Sequence, residues 1–547
     1  MGVRGPAALS AGVMLVSLWA APAQAEGAAE ALRTDQGTLE WLPCEDIDPV
    51  GDEVLECAAL TVPMAHTPGG DGDRALGDTV RIALSRVRAT DRAEHTLLVN
   101  PGGPGSPGRL WASHTHARMP PELREVYDVV AFDPRGTGAS TPSISCDPGH
   151  FAPVRPDTVP AGEEAEAALR ARAEKHAAAC AENTGPLLEH VRTEDTARDM
   201  DAVRAALGLE RIDYLGYSYG SYLGTVYSAL HPGRVRALVL DSAVDPDTPW
   251  YESNLRQSRA LDRAARSFFA WTARHDGTYG LGATEEEVAK AYQDLRAELA
   301  SEPIGSTVGP TELEGVAIVT AYSGQAWLSV ADALSAWITR GDPAPLLALH
   351  EAYGEQPDTG TDNAYGGYLA VQCTDAPWPG GWDRWRADAE AVHDRAPFMG
   401  WHNIWYNAPC AFWQAQAGPW FQVGDGAGEH RAHTGDALIV HATGDGATPV
   451  EGALALRERL PGSVLVVEEG GRSHGVSLTG NTCVDAVVSA YLLEGRLPVR
   501  RGGEGADLSC EARPEPRPTD SQDAPGRMAE NFGPLGAEHP EKSGVSG

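Results

Sequence analysis

Basic residues are scarce in this 547-residue chain: 43 Lys and Arg stand against 77 Asp and Glu, a formal net charge of -34 at pH 7. Nucleic acid needs a basic face to neutralise its phosphates, so this balance excludes it as a partner. Long apolar runs are absent beyond the first 25 residues, so no later segment is expected to span a bilayer. None of the cysteines forms a Cys-x-x-Cys pair or sits beside a zinc-type His pattern, and no metal site is expected. No repeat of fixed period is evident. The Gly-rich run Asn100–Gly105 is not followed by Gly-Lys-Ser/Thr, which argues against a nucleotide phosphate loop. Nothing calls for a metal or organic cofactor.

Hydrophobic residues make up 42% of the chain, enough for a large core. The length allows one large domain with a substantial insertion, or two to three ordinary ones. Residues 1–25 read as a secretory signal peptide: Arg4 as the positive region, Ala7 to Ala20 as the apolar region, and Ala23-Gln24-Ala25 as the cleavage site. No Cys stands at that point, so the expectation is a secreted, extracellular protein with no membrane attachment after cleavage. Eight cysteines then suit an even set of disulfides. Pairing sequence neighbours closes the shortest loops, giving Cys44–Cys57, Cys146–Cys180, Cys373–Cys410 and Cys483–Cys510.

Short β-branched runs ending in Gly or Asp recur at Val80–Val87, Thr96–Asn100, Val126–Asp133, Ile212–Gly216, Val235–Asp241, Ala437–Ala442 and Val464–Glu468. Runs of this kind separated by helical stretches predict a mostly parallel sheet covered by helices on both faces, an α/β fold. The strand signal stops after Asp241 and resumes near Ala437, with Ala-rich helical patterns and a Trp- and Tyr-rich stretch between. The expected organisation is a core of 26–248 and 431–511, a mainly helical cap of 249–430 inserted before the last two strands, and a disordered tail of 512–547 rich in Pro, Glu, Asp, Ser and Gly.

Gly216-Tyr217-Ser218-Tyr219-Gly220 is a G-x-S-x-G element placed between an expected strand and an expected helix, Ser221–His231. A nucleophilic Ser on that sharp turn needs glycines two residues to either side, where side chains would collide. The glycines of Asn100–Gly105 let a backbone N–H approach a developing oxyanion, paired with the N–H of Tyr219. An acid and a base must follow in chain order. Asp445 lies just past the strand Ala437–Ala442, at the end where α/β sheets bind ligands, and His474 follows the next strand. Asp425 and Asp436 precede the first of these strands, and His433 and His441 lie before or inside it.

From about Cys57 to Cys510 the chain resembles the secreted tripeptidyl aminopeptidases of actinobacteria, in the prolyl-aminopeptidase branch of α/β-hydrolase serine peptidases. The resemblance rests on Asn100–Gly105, Asp133-Pro134-Arg135-Gly136-Thr137-Gly138, Gly216–Gly220 with Ser221-Tyr222-Leu223-Gly224, Cys373-Thr374-Asp375, Asp445-Gly446-Ala447-Thr448-Pro449, and His474-Gly475 leading to Cys483, Gly495, Pro498 and Cys510. It implies an α/β-hydrolase fold, a triad of Ser218, Asp445 and His474, and oxyanion donors at Gly103 and Tyr219. The glycine loop opens with Asn100-Pro101 where the narrower prolyl aminopeptidases usually carry His, so proline specificity does not follow from the resemblance.

The implied activity is release of short peptides, tripeptides first among them, from free N-termini by acyl transfer. A carboxylesterase with the same triad and a catalytically silent binding protein of the same fold remain open alternatives. An exopeptidase must read a free α-amino group with a carboxylate over the mouth of the site. Asp375, beside Cys373, is the first candidate, and Glu252 the second.

Overall fold

A computed structural model describes residues 39–66, 78–423 and 435–518. The expected signal peptide, and also Asp425 and His433, lie outside the described residues. Ten strands pair into one sheet: β1 (Leu42–Pro43), β2 (Leu55–Pro63), β3 (Thr79–Val87), β4 (His95–Asn100), β5 (Tyr127–Phe132), β6 (Ile212–Tyr217), β7 (Val235–Asp241), β8 (Ala437–Ala442), β9 (Ser463–Glu469) and β10 (Leu508–Glu511). Their spatial order is β1-β2-β3-β5-β4-β6-β7-β8-β9-β10. Pairing is antiparallel from β1 through β3 to β5 and parallel from β5 through to β10.

Successive residues of these strands feed two different cores, which is why the runs read as continuously apolar. In β7, Leu238 and Leu240 pack with Leu223 and Val226 of helix Tyr219–Leu230, whereas Ala237 and Val239 pack with Trp111 of helix Leu110–Arg118 and Val488 of helix Thr482–Glu494. All seven strand runs read from the sequence are strands. β10 was not foreseen, so three strands rather than two follow the helical insertion. Four residues paired on one edge give little periodicity to read.

Between β7 and β8 the described chain forms helices only, from Trp250–Arg274 to Gly400–Asn407 and a short 3-10 turn after it. Helix Trp250–Arg274 joins this part to the sheet. Its first residue, Trp250, lies in the sheet core, and Leu261, Phe268 and Trp271 lie in a separate core with Leu295, Leu313 and Trp327. The segment before helix Thr193–Ala206 also joins the insertion: Leu169 and Ala173 of helix Glu163–Thr184 pack with Trp385 and Trp401. The expected core of 26–248 therefore carries a piece that packs with the cap.

The four cysteine pairs close as neighbours, Cys44–Cys57, Cys146–Cys180, Cys373–Cys410 and Cys483–Cys510. The expected tail begins later than its composition suggested. Pro516 O accepts a hydrogen bond from Trp271 Nε1 at 3.0 Å and Glu515 pairs with Arg274, so this part of the chain lies on the helical insertion. Residues 519–547 lie outside the described residues. Among the described residues, no helix is long and apolar enough to cross a membrane.

Candidate active site

β6 runs straight into Ser218, and helix Tyr219–Leu230 begins on the next residue. Ser218 has φ 57° and ψ -127°, a conformation that costs a non-glycine residue of order 1–3 kcal/mol and persists where surrounding structure imposes it. Here the Ser218 N–H donates to Asp241 O at 2.9 Å. At Gly216 a Cβ would lie 2.3 Å from Gly220 O, so the turn closes only without a side chain there. Gly102, at φ 100°, docks on the turn from the other side: its Cβ would lie 2.5 Å from Tyr217 O and 2.9 Å from Ser218 Cβ. Asn100 Oδ1 accepts the Gly102 N–H at 3.0 Å, and Asp133 Oδ1 accepts the N–H groups of Gly108 and Arg109 at 2.7 and 3.0 Å. The glycine loop is thus pinned at both ends. The Tyr219 N–H is the first of its helix, so helix geometry provides it no carbonyl partner, and the positive end of the helix dipole lies beside Ser218.

The Asp445 carboxylate is fully enclosed. Its Oδ1 accepts N–H bonds from Ala447 at 2.8 Å and Thr448 at 3.0 Å, and its Oδ2 accepts the Thr448 hydroxyl at 3.0 Å. His474 Nδ1 lies 2.9 Å from Oδ2 and 3.1 Å from Oδ1. Burial opposes charge on Asp445, but the His474 ring, the nearby His441 and the Thr448 N–H outweigh it and hold the carboxyl down to about 2. Burial likewise opposes charge on His474, and Asp445 overcomes it, so the imidazole pKa is raised above the usual histidine value. His441 lies beneath this pair. Its Nδ1 accepts the Ala243 N–H at 3.0 Å, which leaves Nε2–H to donate to Thr448 O at 2.9 Å. It supports the Asp445 loop from inside β8.

The end of β7 ties the two halves together. Asp241 O holds the Ser218 N–H, while the Asp241 carboxylate accepts from Val476 and Ser477 N–H at 3.0 and 2.6 Å, and Ser242 Oγ accepts the Gly475 N–H at 2.8 Å. Two adjacent residues therefore fix the position of the Ser turn and of the His loop. From the helical insertion, Tyr322 O accepts the His474 N–H at 2.7 Å, and the Tyr322 ring meets the imidazole edge-on.

Ser218, Gly103 and Tyr219 line a cavity of about 320 Å³ roofed by the insertion, a size within the usual range for small-molecule sites. Neither carboxylate expected over the mouth serves it. Asp375 is buried beneath the cavity wall with its oxygens taken by the Thr193 N–H at 2.8 Å, the Thr193 hydroxyl at 2.6 Å and Trp250 Nε1 at 3.2 Å. Glu252 lies outside the cavity and pairs with Arg384 at 2.9 Å. Chain position places both residues in the insertion, but position does not say which way a side chain faces.

Among the described residues, Glu355 is the one Asp or Glu that lines the cavity. Gly315 makes room for it, since a Cβ there would stand 3.1 Å from Glu355 Oε2. Arg155 lies 3.2 Å from the same oxygen, but its Nε is already held by Glu312 Oε1 at 2.8 Å. One guanidinium thus stands between two carboxylates, and Glu355 shares it with Glu312. Burial opposes the Glu355 charge, yet Arg155 and His402 hold its pKa below the usual glutamate value. No sequence signal singles this residue out among 77 acidic ones. Asn254, Gln257, Gln372 and Asn403 add an amide-rich wall, in which Asn254 Nδ2 donates to Gln372 Oε1 at 2.9 Å and Asn403 Nδ2 to Gln257 Oε1 at 3.2 Å.

Residues 95–285 match the family model described as alpha/beta hydrolase fold, and residues 396–510 match the model described as TAP-like protein. The chain is 37% identical over 506 residues to a tripeptidyl aminopeptidase of Streptomyces lividans, covering 90% of this chain and 91% of that protein. It is 32% identical over 484 residues to the serine protease Hip1 of Mycobacterium tuberculosis, covering 84% and 89%. A carboxylesterase B of the same species is 32% identical over 477 residues, covering 84% and 88%.

Proposed function

The chain belongs to the tripeptidyl aminopeptidase family of α/β-hydrolases, and on that premise we propose that it is a secreted serine exopeptidase releasing short peptides from free N-termini. The observation that carries this reading is the cavity wall beside Ser218. It offers one ionised carboxylate, Glu355, with Arg155 behind it, and an amide-rich surface for a peptide backbone, and among the described residues no Lys or Arg lines it. Tripeptides are the first length to test.

The chemistry is acyl transfer. With Nδ1 engaged by Asp445, His474 uses Nε2 to take the Ser218 proton as Oγ attacks the scissile carbonyl. Asp445 stabilises the imidazolium, and the N–H groups of Gly103 and Tyr219 receive the oxyanion. His474 then returns the proton to the departing amine, and water releases the acyl group by the same steps. Losing one oxyanion donor costs on the order of 3 kcal/mol of transition-state stabilisation.

The pH profile follows from the direction of the His474 shift. Because its pKa is raised, the base is protonated up to a higher pH than an ordinary histidine. As pH falls, kcat/KM is expected to fall through a single limb with its midpoint above ~6.5. A profile level from pH 5 to 8 would count against a histidine base.

Glu355 is the proposed acceptor of the α-ammonium. Stranding an unpaired charge in a partly dry cavity costs several kcal/mol, so N-acetylation of a peptide amide is expected to lower kcat/KM by ~100-fold or more. Glu355→Gln is expected to raise KM for the free-amine peptide and shrink that ratio. If acetylation leaves cleavage unchanged, the exopeptidase reading fails and an esterase like the related carboxylesterase B takes its place. If acetylation matters but Glu355→Gln behaves as wild type, only the residue assignment is lost.

A further inference from the structure

Beside the Ser218 cavity, on the far side of Tyr322, lies a small groove of about 40 Å³ bordered by His474. Tyr322 borders both spaces, and the glycine loop divides them: Gly103 and Pro104 face the cavity, Pro101 the groove. The charges of the two are opposite. Among the described residues, the cavity wall carries Glu355, with Arg155 behind it, and the groove is lined by Arg118 and by Arg513, with Glu468 behind it. In a chain with 77 acidic and 43 basic residues, two arginines bordering one small pocket run against the overall balance.

The guanidinium of Arg513 is held in place. It donates to Thr479 O at 2.7 Å and to Ser473 Oγ, next to the base, at 3.3 Å, while its Nε lies 3.5 Å from Glu468 Oε1. Arg118 ends helix Leu110–Arg118, which starts just after the glycine loop. An arginine fork fixed in this way suits a carboxylate, which it can bind with two parallel N–H bonds.

The course of the reaction says what enters the groove. When the tetrahedral intermediate collapses, the C–N bond breaks, its electron pair stays on nitrogen, and nitrogen takes the proton from His474 Nε2. The acyl part remains on Ser218 in the cavity, and the amine-bearing part departs on the imidazole side. We propose that the Arg118–Arg513 groove binds a carboxylate of the departing segment, either the C-terminal carboxylate of a short peptide or an Asp or Glu side chain just after the scissile bond. This rests on the exopeptidase reading and adds a second recognition element to it. The site then matches a dipolar oligopeptide, with its ammonium end at Glu355 and its carboxylate end at the arginines.

The test uses four substrates sharing one free-amine tripeptide acyl part: a neutral arylamide, a dipeptide leaving segment with a free C-terminus, the same segment amidated, and the amidated segment with Asp at its first residue. The full-length enzyme is expected to cleave the free-carboxylate peptide with kcat/KM ~10-fold above its amide, mainly through KM. A comparable gain for the Asp-containing amide would identify a side-chain carboxylate as the second source. Either preference is expected to collapse towards one in Arg513→Gln, and in Arg118→Gln where the first variant does not fold. The arylamide reports on the exopeptidase reading alone. If wild type cleaves the arylamide but treats all three peptides alike, the groove proposal is overturned. Persistence of the preference in both arginine variants would overturn it as well.

Discussion

Ser218→Ala is expected to lower kcat by on the order of 10⁶-fold while leaving the fold intact. Loss of the attacking hydroxyl removes the covalent route altogether, and what remains is the small acceleration from oxyanion donors and binding. Folding should be spared because alanine keeps the Cβ that Ser218 already carries at φ 57°, so the backbone strain of the turn is unchanged. The Ser218 N–H to Asp241 O bond is also retained. Two measurements decide the matter: steady-state hydrolysis of a free-amine arylamide, and thermal unfolding of both proteins. Activity within tenfold of wild type would remove Ser218 from the mechanism, and an unchanged melt would show that lost activity is not lost structure.

Asp445→Asn is expected to cost about 10⁴-fold in kcat, through a tautomer rather than through a lost contact. The N–H groups of Ala447 and Thr448 both point at Oδ1, so an asparagine must keep its carbonyl oxygen there. Its NH₂ then takes the place of Oδ2, facing His474 Nδ1, 2.9 Å away in the native pair. An amide donor at that position forces Nδ1 to accept and moves the ring proton to Nε2, where it blocks the base. The same substitution removes the carboxylate that raises the His474 pKa, so the acid limb of the residual activity should move down in pH. A merely structural role for Asp445 would lower activity without moving that limb. Residual kcat within tenfold of wild type would end the assignment of Asp445.

How far the sequence could be read depended on how local each feature is. The two-faced burial of β4 to β9 leaves continuous apolar runs that survive as pattern. The Ser turn leaves its own record too: a collision with Gly220 O inside the turn demands Gly216, and the approach of Asn100 from the glycine loop demands Gly220. Asp445 and His474 stand out by chain order and by lying just past consecutive strands, and the structure brings their side chains to 2.9 Å. By contrast β2 and β10 are edge or near-edge strands with mixed burial, so alternation and apolar content were too weak to mark them.

The cap shows the other limit. Leu169 and Trp401 are more than 200 residues apart in the chain and share one core, so composition alone divided the cap from the 26–248 segment too simply. Asp375 sits beside Cys373, in a motif that the family resemblance itself uses, and its carboxylate nonetheless turns away from the cavity towards Thr193 and Trp250.

By itself, then, the sequence determined the α/β sheet, the Ser turn and the neighbouring cysteine pairs. Each of these is written in short-range sterics, strand periodicity or loop-closure entropy. Only the tertiary structure decided which acid lines the cavity beside Ser218 and which arginines border His474. Glu355 meets Gly315 and Arg155, and Arg513 meets Ser473 and Glu468, through contacts between distant segments. Each of these charges has an opposite charge behind it and still borders an open space, and that balance is set by the residues the fold brings around it.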